Sequence, residues 1–203
     1  MLMLKLQRAA IRHMAEPTEG SGIVKNENLR VITGGPGCGK TTVIRELERR
    51  GFPVVEEIAR KAIQEEVKRD GTALPWRDAA KYTKLMLSRS VESFLGLKTA
   101  TAPTFCDRGI PDVLCYARLI RLHGVDEISE ACEKFRYHRR VFILPPWREI
   151  YATDEERKES FAEAVQVYEM MIRTYRDCGY EISEVPRCGV GARADFVVEG
   201  AGL

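Results

Sequence analysis

The sequence predicts a three-layer α/β fold, a five-stranded parallel sheet with helices on both faces, and two observations carry that expectation. From Arg30 onward, short β-rich runs alternate with longer segments of helical period, as in a parallel sheet whose crossovers are helices. Between the first such strand and the first such helix, residues 34–41 read Gly-Gly-Pro-Gly-Cys-Gly-Lys-Thr, a glycine-rich connection that lets backbone amides converge on an anion.

Arg30-Val31-Ile32-Thr33 is the first strand, and the helix of residues 41–50 follows with Val43, Ile44 and Leu47 on one side and Gly51 at its end. Residues 53–56 form the second strand. The next helix runs from Glu57 to about residue 69, turning Ile58, Ala62 and Ile63 inward, and Asp70-Gly71 stops it. A long helix covers about residues 76–97, and Thr104-Phe105-Cys106-Asp107 is the third strand. Val113, Tyr116, Ala117 and Ile120 then recur at helical spacing. Val141-Phe142-Ile143-Leu144 is the fourth strand, ended by Pro145-Pro146. A charged loop leads to a helix from Glu156 whose Phe161, Val165, Tyr168, Ile172 and Tyr175 form one apolar stripe, read as core. Gly179 caps it, residues 180–185 make the fifth strand, and residues 190–200 form a short element of no assigned type.

With 203 residues, 44% hydrophobic and 31% charged, the chain reads as one soluble domain over residues 29–203 behind an irregular extension, residues 1–28. The extension carries Lys5, Arg8 and Arg12 without an acid before a polar stretch; a weak amphipathic or targeting segment and a plain irregular extension are both compatible with it. A net charge of +2 spread over many acids and bases does not suggest the one-sided basic surface that nucleic-acid binding needs, so no nucleic-acid partner is expected. The densest basic run, Arg136, His138, Arg139 and Arg140, reads as solvated residues at a strand entrance. No stretch approaches the roughly 20 apolar residues that span a bilayer, which points to a cytoplasmic chain. Cysteines 38, 106, 115, 132, 178 and 188 lack CxxC pairing and read as reduced, mostly buried thiols.

The spacing G-x-x-x-x-G-K-T wraps phosphates with backbone N–H groups, reaches the β and γ oxygens with Lys40 and offers the Thr41 hydroxyl to magnesium. Gly35, Pro36, Gly37, Cys38, Gly39, Lys40, Thr41 and Thr42 are therefore the expected site for ATP, or another nucleoside triphosphate, with Mg2+. The plainer alternative is a glycine-rich turn with an exposed lysine. Cys38 reads as a small residue filling a variable position of that loop, the alternative being an oxidisable thiol whose pKa is lowered near the helix N-terminus.

No Asn-Lys-x-Asp follows a strand, so guanine specificity has no support, and the third strand closes on Cys106-Asp107-Arg108 rather than Asp-Glu. Glu57 falls at the carboxyl edge of the sheet, where open α/β sheets place ligands, and is a candidate base for an acceptor hydroxyl. An acid in the first turn of a helix with Arg60 as its partner explains it equally well. Residues 145–158 form a candidate lid, with Arg148 and Arg157 as charge stabilisers and Pro146-Trp147 as a stiff start; a solvated loop in which Asp154 caps the next helix is the alternative.

The strand ending in Asp107-Arg108 resembles those of thymidylate and deoxynucleoside kinases, where the arginine lies on phosphates and the acid on the magnesium or substrate side. Glu57-Ile58-Ala59-Arg60 matches the Glu-x-Ala-Arg of ribosylnicotinamide kinases, which implies that Arg60 holds substrate. With Asp107-Arg108-Gly109-Ile110-Pro111-Asp112, Leu144-Pro145-Pro146-Trp147, Asp154-Glu155-Glu156-Arg157 and Arg193-Ala194-Asp195-Phe196, residues 29–199 resemble the small AAA-like P-loop domains related to these kinases. The resemblance implies a P-loop NTPase fold of the nucleotide-kinase type, Asp112 near the acceptor pocket and Arg193 near the base. It carries no ring-motor arginine finger, so a hexameric unfoldase is not expected. Two functions follow: a magnesium-dependent kinase acting on a small, nucleoside-like acceptor, with Glu57 or Asp107 as base and Arg108 as acceptor clamp, or a regulatory nucleotide-binding module that recruits a protein or lipid. Simple NTP hydrolysis is a background activity of either.

Overall fold

Alternation along the strands sets the layers. In β2 (Leu29–Gly34), Ile32 packs toward one face while Leu29 and Val31 pack toward the other. The same division separates Phe105 from Cys106 in β4 (Thr104–Asp107), and Phe142 and Leu144 from Val141 in β6 (Arg140–Leu144). In the computed structural model, which describes residues 22–151 and 160–203, these strands join β3 (Val54–Val55) and β7 (Glu181–Glu184) in one sheet of order β3-β4-β2-β6-β7, every pair parallel.

One face is covered by α1 (Lys40–Arg49) and α7 (Val190–Gly200), whose Val43, Ile44, Leu47, Ala194 and Val197 are buried against Ile32, Phe105 and Phe142. Arg50 ties the two helices together, donating to Asp195 and to the Gly191 carbonyl. On the other face lie α2 (Ile58–Lys68), α3 (Ala79–Gly96), α4 (Ile110–Leu119), α5 (Asp126–Lys134) and α6 (Phe161–Asp177).

The five expected strands are all present, and the untyped segment of residues 190–200 is a helix. The long helix begins at Ala79 because the Asp78 side chain accepts from the Lys81 amide and so caps it. The helix expected from Glu156 is described from Phe161, where Ser160 and Glu163 form a reciprocal capping box; residues 152–159 lie outside the described chain.

Residues 22–28, placed in the extension by sequence, include β1 (Val24–Lys25), which pairs in parallel with β5 (Phe135–Arg136). The buried Asn26 fastens this segment by donating to the carbonyls of Leu97 and Ala100. The basic run is engaged rather than simply solvated: Arg136 stacks on Tyr180 at 4.2 Å, Arg139 pairs with Glu181, and Arg140 donates to the Gly200 carbonyl. Among the described residues, no helix is long and apolar enough to cross a membrane.

Candidate functional site

β2 runs into the glycine-rich loop, and the loop into α1, because Gly37 and Gly39 take left-handed φ of 72° and 80°, which side-chain-bearing residues rarely adopt. A Cβ on Gly37 would lie 2.6 Å from the ring of Tyr151, and one on Gly39 would lie 2.8 Å from the guanidinium of Arg193. Arg193 also lies over the Trp147 ring at 5.4 Å, and its buried Nε has no partner among the described residues. Residues 147–151 and the start of α7 thus pack directly on the loop. Replacing Gly37 by alanine is expected to weaken ATP binding about tenfold, from backbone strain plus the clash. A Gly37→Ala, Tyr151→Ala double variant recovers only the steric part; equal ATP affinity of wild type and Gly37→Ala, by titration calorimetry, would contradict this.

Lys40 opens α1 and points across the sheet to Asp107, with which it forms a buried ion pair. Register explains the meeting, since Asp107 ends β4 opposite Ile32 of β2. Burial pushes the Asp107 carboxyl above its ordinary value, with the Lys40 ammonium pulling the other way. Thr41 and Thr42 follow in the first turn and are exposed. A hydroxyl and a carboxylate are oxygen donors of the kind that magnesium takes alongside phosphate oxygens and water, so in donor type Thr41 and Asp107 are candidates to hold the ion. Cys38 is buried, and that burial raises its thiol pKa, so the loop cysteine is not an activated one.

Beyond Asp107 the chain turns sharply: Arg108 is left-handed at φ 76°, and its amide donates to the Ile32 carbonyl at 3.0 Å. That turn aims its guanidinium sideways, Nε to Glu57 at 2.9 Å and NH1 to Asp112 at 3.2 Å. Burial opposes the Arg108 charge, but Asp112, Glu57 and Asp107 outweigh it and raise its pKa. Glu57 caps no backbone amide of α2, and its partner is Arg108 rather than Arg60. Burial would raise its carboxyl, but the charges of Arg108, Lys40 and Arg60 together hold it below its ordinary value of 4.5.

Asp112 is a buried hub. Its carboxylate accepts from Thr33 at 2.6 Å, from the Gly109 amide at 2.8 Å, from Arg108 and from the Tyr175 hydroxyl. Those bonds consume it, which suits orienting Arg108 better than contacting a ligand. An Asp112→Ala exchange strands several buried donors and should destabilise the protein by about 3 kcal/mol in urea unfolding; a loss within about 0.5 kcal/mol, the range of an ordinary surface change, would refute the hub.

Glu57, Asp107, Arg108 and Asp112 all line one cavity of about 390 Å³. It lies between the carboxyl ends of β3 and β4 and helices α3 and α4, and Pro36 of the loop forms part of its wall. Tyr82 and Tyr116 meet edge to face at 5.4 Å in that wall, and burial pushes the Tyr82 hydroxyl up to about 12. Arg60 is exposed and outside the lining. Arg148 is exposed and stacks on Phe161 at 4.8 Å, while Arg157 and Asp154 lie outside the described residues. Sequence reasoning placed Thr33, Tyr116 and Tyr175 as ordinary strand and helix-stripe positions and did not single out Tyr82; a threonine inside an otherwise apolar strand was the one available signal.

Fold and site together define a P-loop NTPase with the nucleotide-kinase type of sheet. The chain belongs to the AAA domain family, which it matches over residues 29–193. Among solved structures it is similar to NadR protein in complex with NR (18% identity, TM-score 0.64), covering 86% of this chain and 51% of that one. It is also similar to deoxyadenosine kinase from M. mycoides (13% identity, TM-score 0.59, 86% of this chain and 98% of that one). Thymidylate kinase from Ehrlichia chaffeensis matches with 14% identity and a TM-score of 0.54, over 86% of this chain and 98% of the kinase. The chain therefore spans about half the length of the NadR protein. No curated protein sequence matches it.

Proposed function

We propose that the protein is a magnesium-dependent kinase that moves the γ-phosphoryl group of ATP to a hydroxyl of a small acceptor. The observation that carries this reading is the placement of Glu57, Asp107 and Arg108 on one cavity immediately beside the P-loop lysine. Both acids sit in buried or half-buried ion pairs at that cavity rather than in surface pairs, the arrangement that favours transfer over a regulatory switch.

The loop amides and Lys40 hold the β- and γ-phosphates, and Arg193 closes over the loop from the side of α7. Thr41 and Asp107 would hold magnesium, which would supply charge neutralisation there. The acceptor hydroxyl lies against Glu57, with Arg108 clamping the acceptor and Asp112 fixing Arg108. As the acceptor oxygen bonds to the γ-phosphorus and the bond to the ADP oxygen breaks, Glu57 takes the hydroxyl proton and returns it to solvent.

The solved neighbours named for deoxyadenosine and thymidylate put nucleosides and nucleotides first among the acceptors to try. The test is ADP release with magnesium and ATP, alone and with nucleosides, nucleotides, NR and simple alcohols. Acceptor-dependent release establishes the kinase. Tight ATP binding with no acceptor-dependent release, and no effect of Glu57→Gln, overturns it in favour of a regulatory module.

A further inference from the structure

The cavity is longer than a site for a small polar acceptor needs to be. On α3, Tyr82, Met86, Ser90, Phe94 and Leu97, the last just past the helix end, all line it. Their spacing of four, four, four and three residues is one continuous helix face, about 22 Å long at 1.5 Å per residue. The sheet tells the same story, because the lining includes both Pro36 beyond the carboxyl end of β2 and Leu29 at its start.

Charge is confined to one end, the hydroxyls of Tyr82, Ser90 and Ser93 being the polar groups along the α3 wall. Glu57, Asp107, Arg108 and Asp112 cluster beside the P-loop, whereas the far end is walled by Leu29, Phe94, Leu97 and Tyr137. Leu119 and Ile120, at the end of α4, also line the cavity and are exposed at 37% and 38%, so the apolar portion reaches the surface. A purine or pyrimidine needs hydrogen-bonding groups around its edges to be recognised. An unfilled apolar void of this size is costly inside a close-packed protein, and chemistry like that of its walls fills it best.

We infer that the acceptor is an elongated apolar alcohol, of the long-chain or isoprenoid-like kind, with its hydroxyl at Glu57 and its tail along the inner face of α3. The inference rests on the kinase reading and names its substrate class.

Straight-chain primary alcohols from 1-hexanol to 1-dodecanol test it with the full chain, by calorimetric binding and by alcohol-dependent ADP release. Affinity should rise about fourfold per methylene until the cavity is filled. Ser90→Phe places a ring midway along it and should weaken 1-decanol binding at least tenfold, with ATP binding by the variant reporting that it is folded. Ser90→Leu is the milder exchange should the phenylalanine prevent folding. Affinity independent of chain length, or insensitive to both exchanges, overturns the inference. So does phosphorylation of a nucleoside without any binding of alcohols, which leaves the kinase reading intact. Length-dependent alcohol binding without phosphoryl transfer to any acceptor overturns the acceptor assignment together with the kinase reading.

Discussion

Replacing Lys40 by alanine is expected to lower ATP turnover by about 10²–10³-fold, the usual loss when a preorganised positive group at developing phosphate charge is removed. The same exchange leaves the Asp107 carboxylate buried without its cation, since Lys40 and Asp107 are each only 7% exposed. Breaking a buried pair from one side costs about 3–5 kcal/mol. Part of that is recovered by protonation, because burial already holds the Asp107 carboxyl above its ordinary value and the Lys40 charge is what opposes it. Lys40→Ala should therefore be least destabilised in acid, and the Lys40→Met, Asp107→Leu double variant should be more stable than Lys40→Ala alone. Urea unfolding of the three proteins at neutral and acid pH checks both statements. A Lys40→Ala protein as stable as wild type at neutral pH would mean that the ion pair does not form.

The second large effect is on Glu57. If it is the base, Glu57→Gln should reduce acceptor-dependent turnover by about 10²–10⁴-fold with little change in ATP affinity. The pH profile has a definite sign. Because Arg108, Lys40 and Arg60 hold the carboxyl below its ordinary 4.5, the base is ionised throughout neutral pH, and kcat/KM should stay flat until the medium is more acid than that. Arg108→Ala removes the strongest of those charges while the burial remains, so the acid limb should move to higher pH. A group whose folded pKa is depressed stabilises above its unfolded value, and that contribution disappears as pH falls through the folded one. The Glu57–Arg108 pair is thus fully formed at neutral pH and is lost on acidification. Arg108 acts on the Asp107 carboxyl in the same direction, so an acid limb that stays in place in Arg108→Ala would mean that neither acid is the titrating base.

Much of the fold was legible because β2, β3, β4 and β6 are largely apolar runs bounded by glycine, proline or charge, and that signal is local. What was missed depends on distant partners. β1 and β5 are two residues each and persist because Asn26 reaches Leu97 and Ala100 across more than 70 positions of sequence. The helix Asp126–Lys134 carries Ile128, Ala131 and Cys132 at helical spacing, but the window is short and largely polar. At the site, Glu57, Asp107 and Arg108 were readable because strand ends in a parallel sheet converge. The work of Asp112 was not, since Thr33 and Tyr175 lie 79 and 63 residues away and look like ordinary strand and core positions.

The position of β2 has a further bearing on how the chain reaches its folded form. It is the first strand of the large sheet to be synthesised and the central one, yet its neighbours β4 and β6 end at Asp107 and Leu144. Pairings this distant in sequence raise contact order and slow folding, because loop closure precedes any gain from the contacts. Until about residue 144 has emerged, Val31 and Ile32 sit on a strand with an unpaired edge, the kind of segment that templates aggregation. The phosphate loop hangs from that strand, so ATP binding competence should arrive late and all at once during synthesis. Expression at low temperature, or with chaperones that shield nascent strands, should raise its soluble yield.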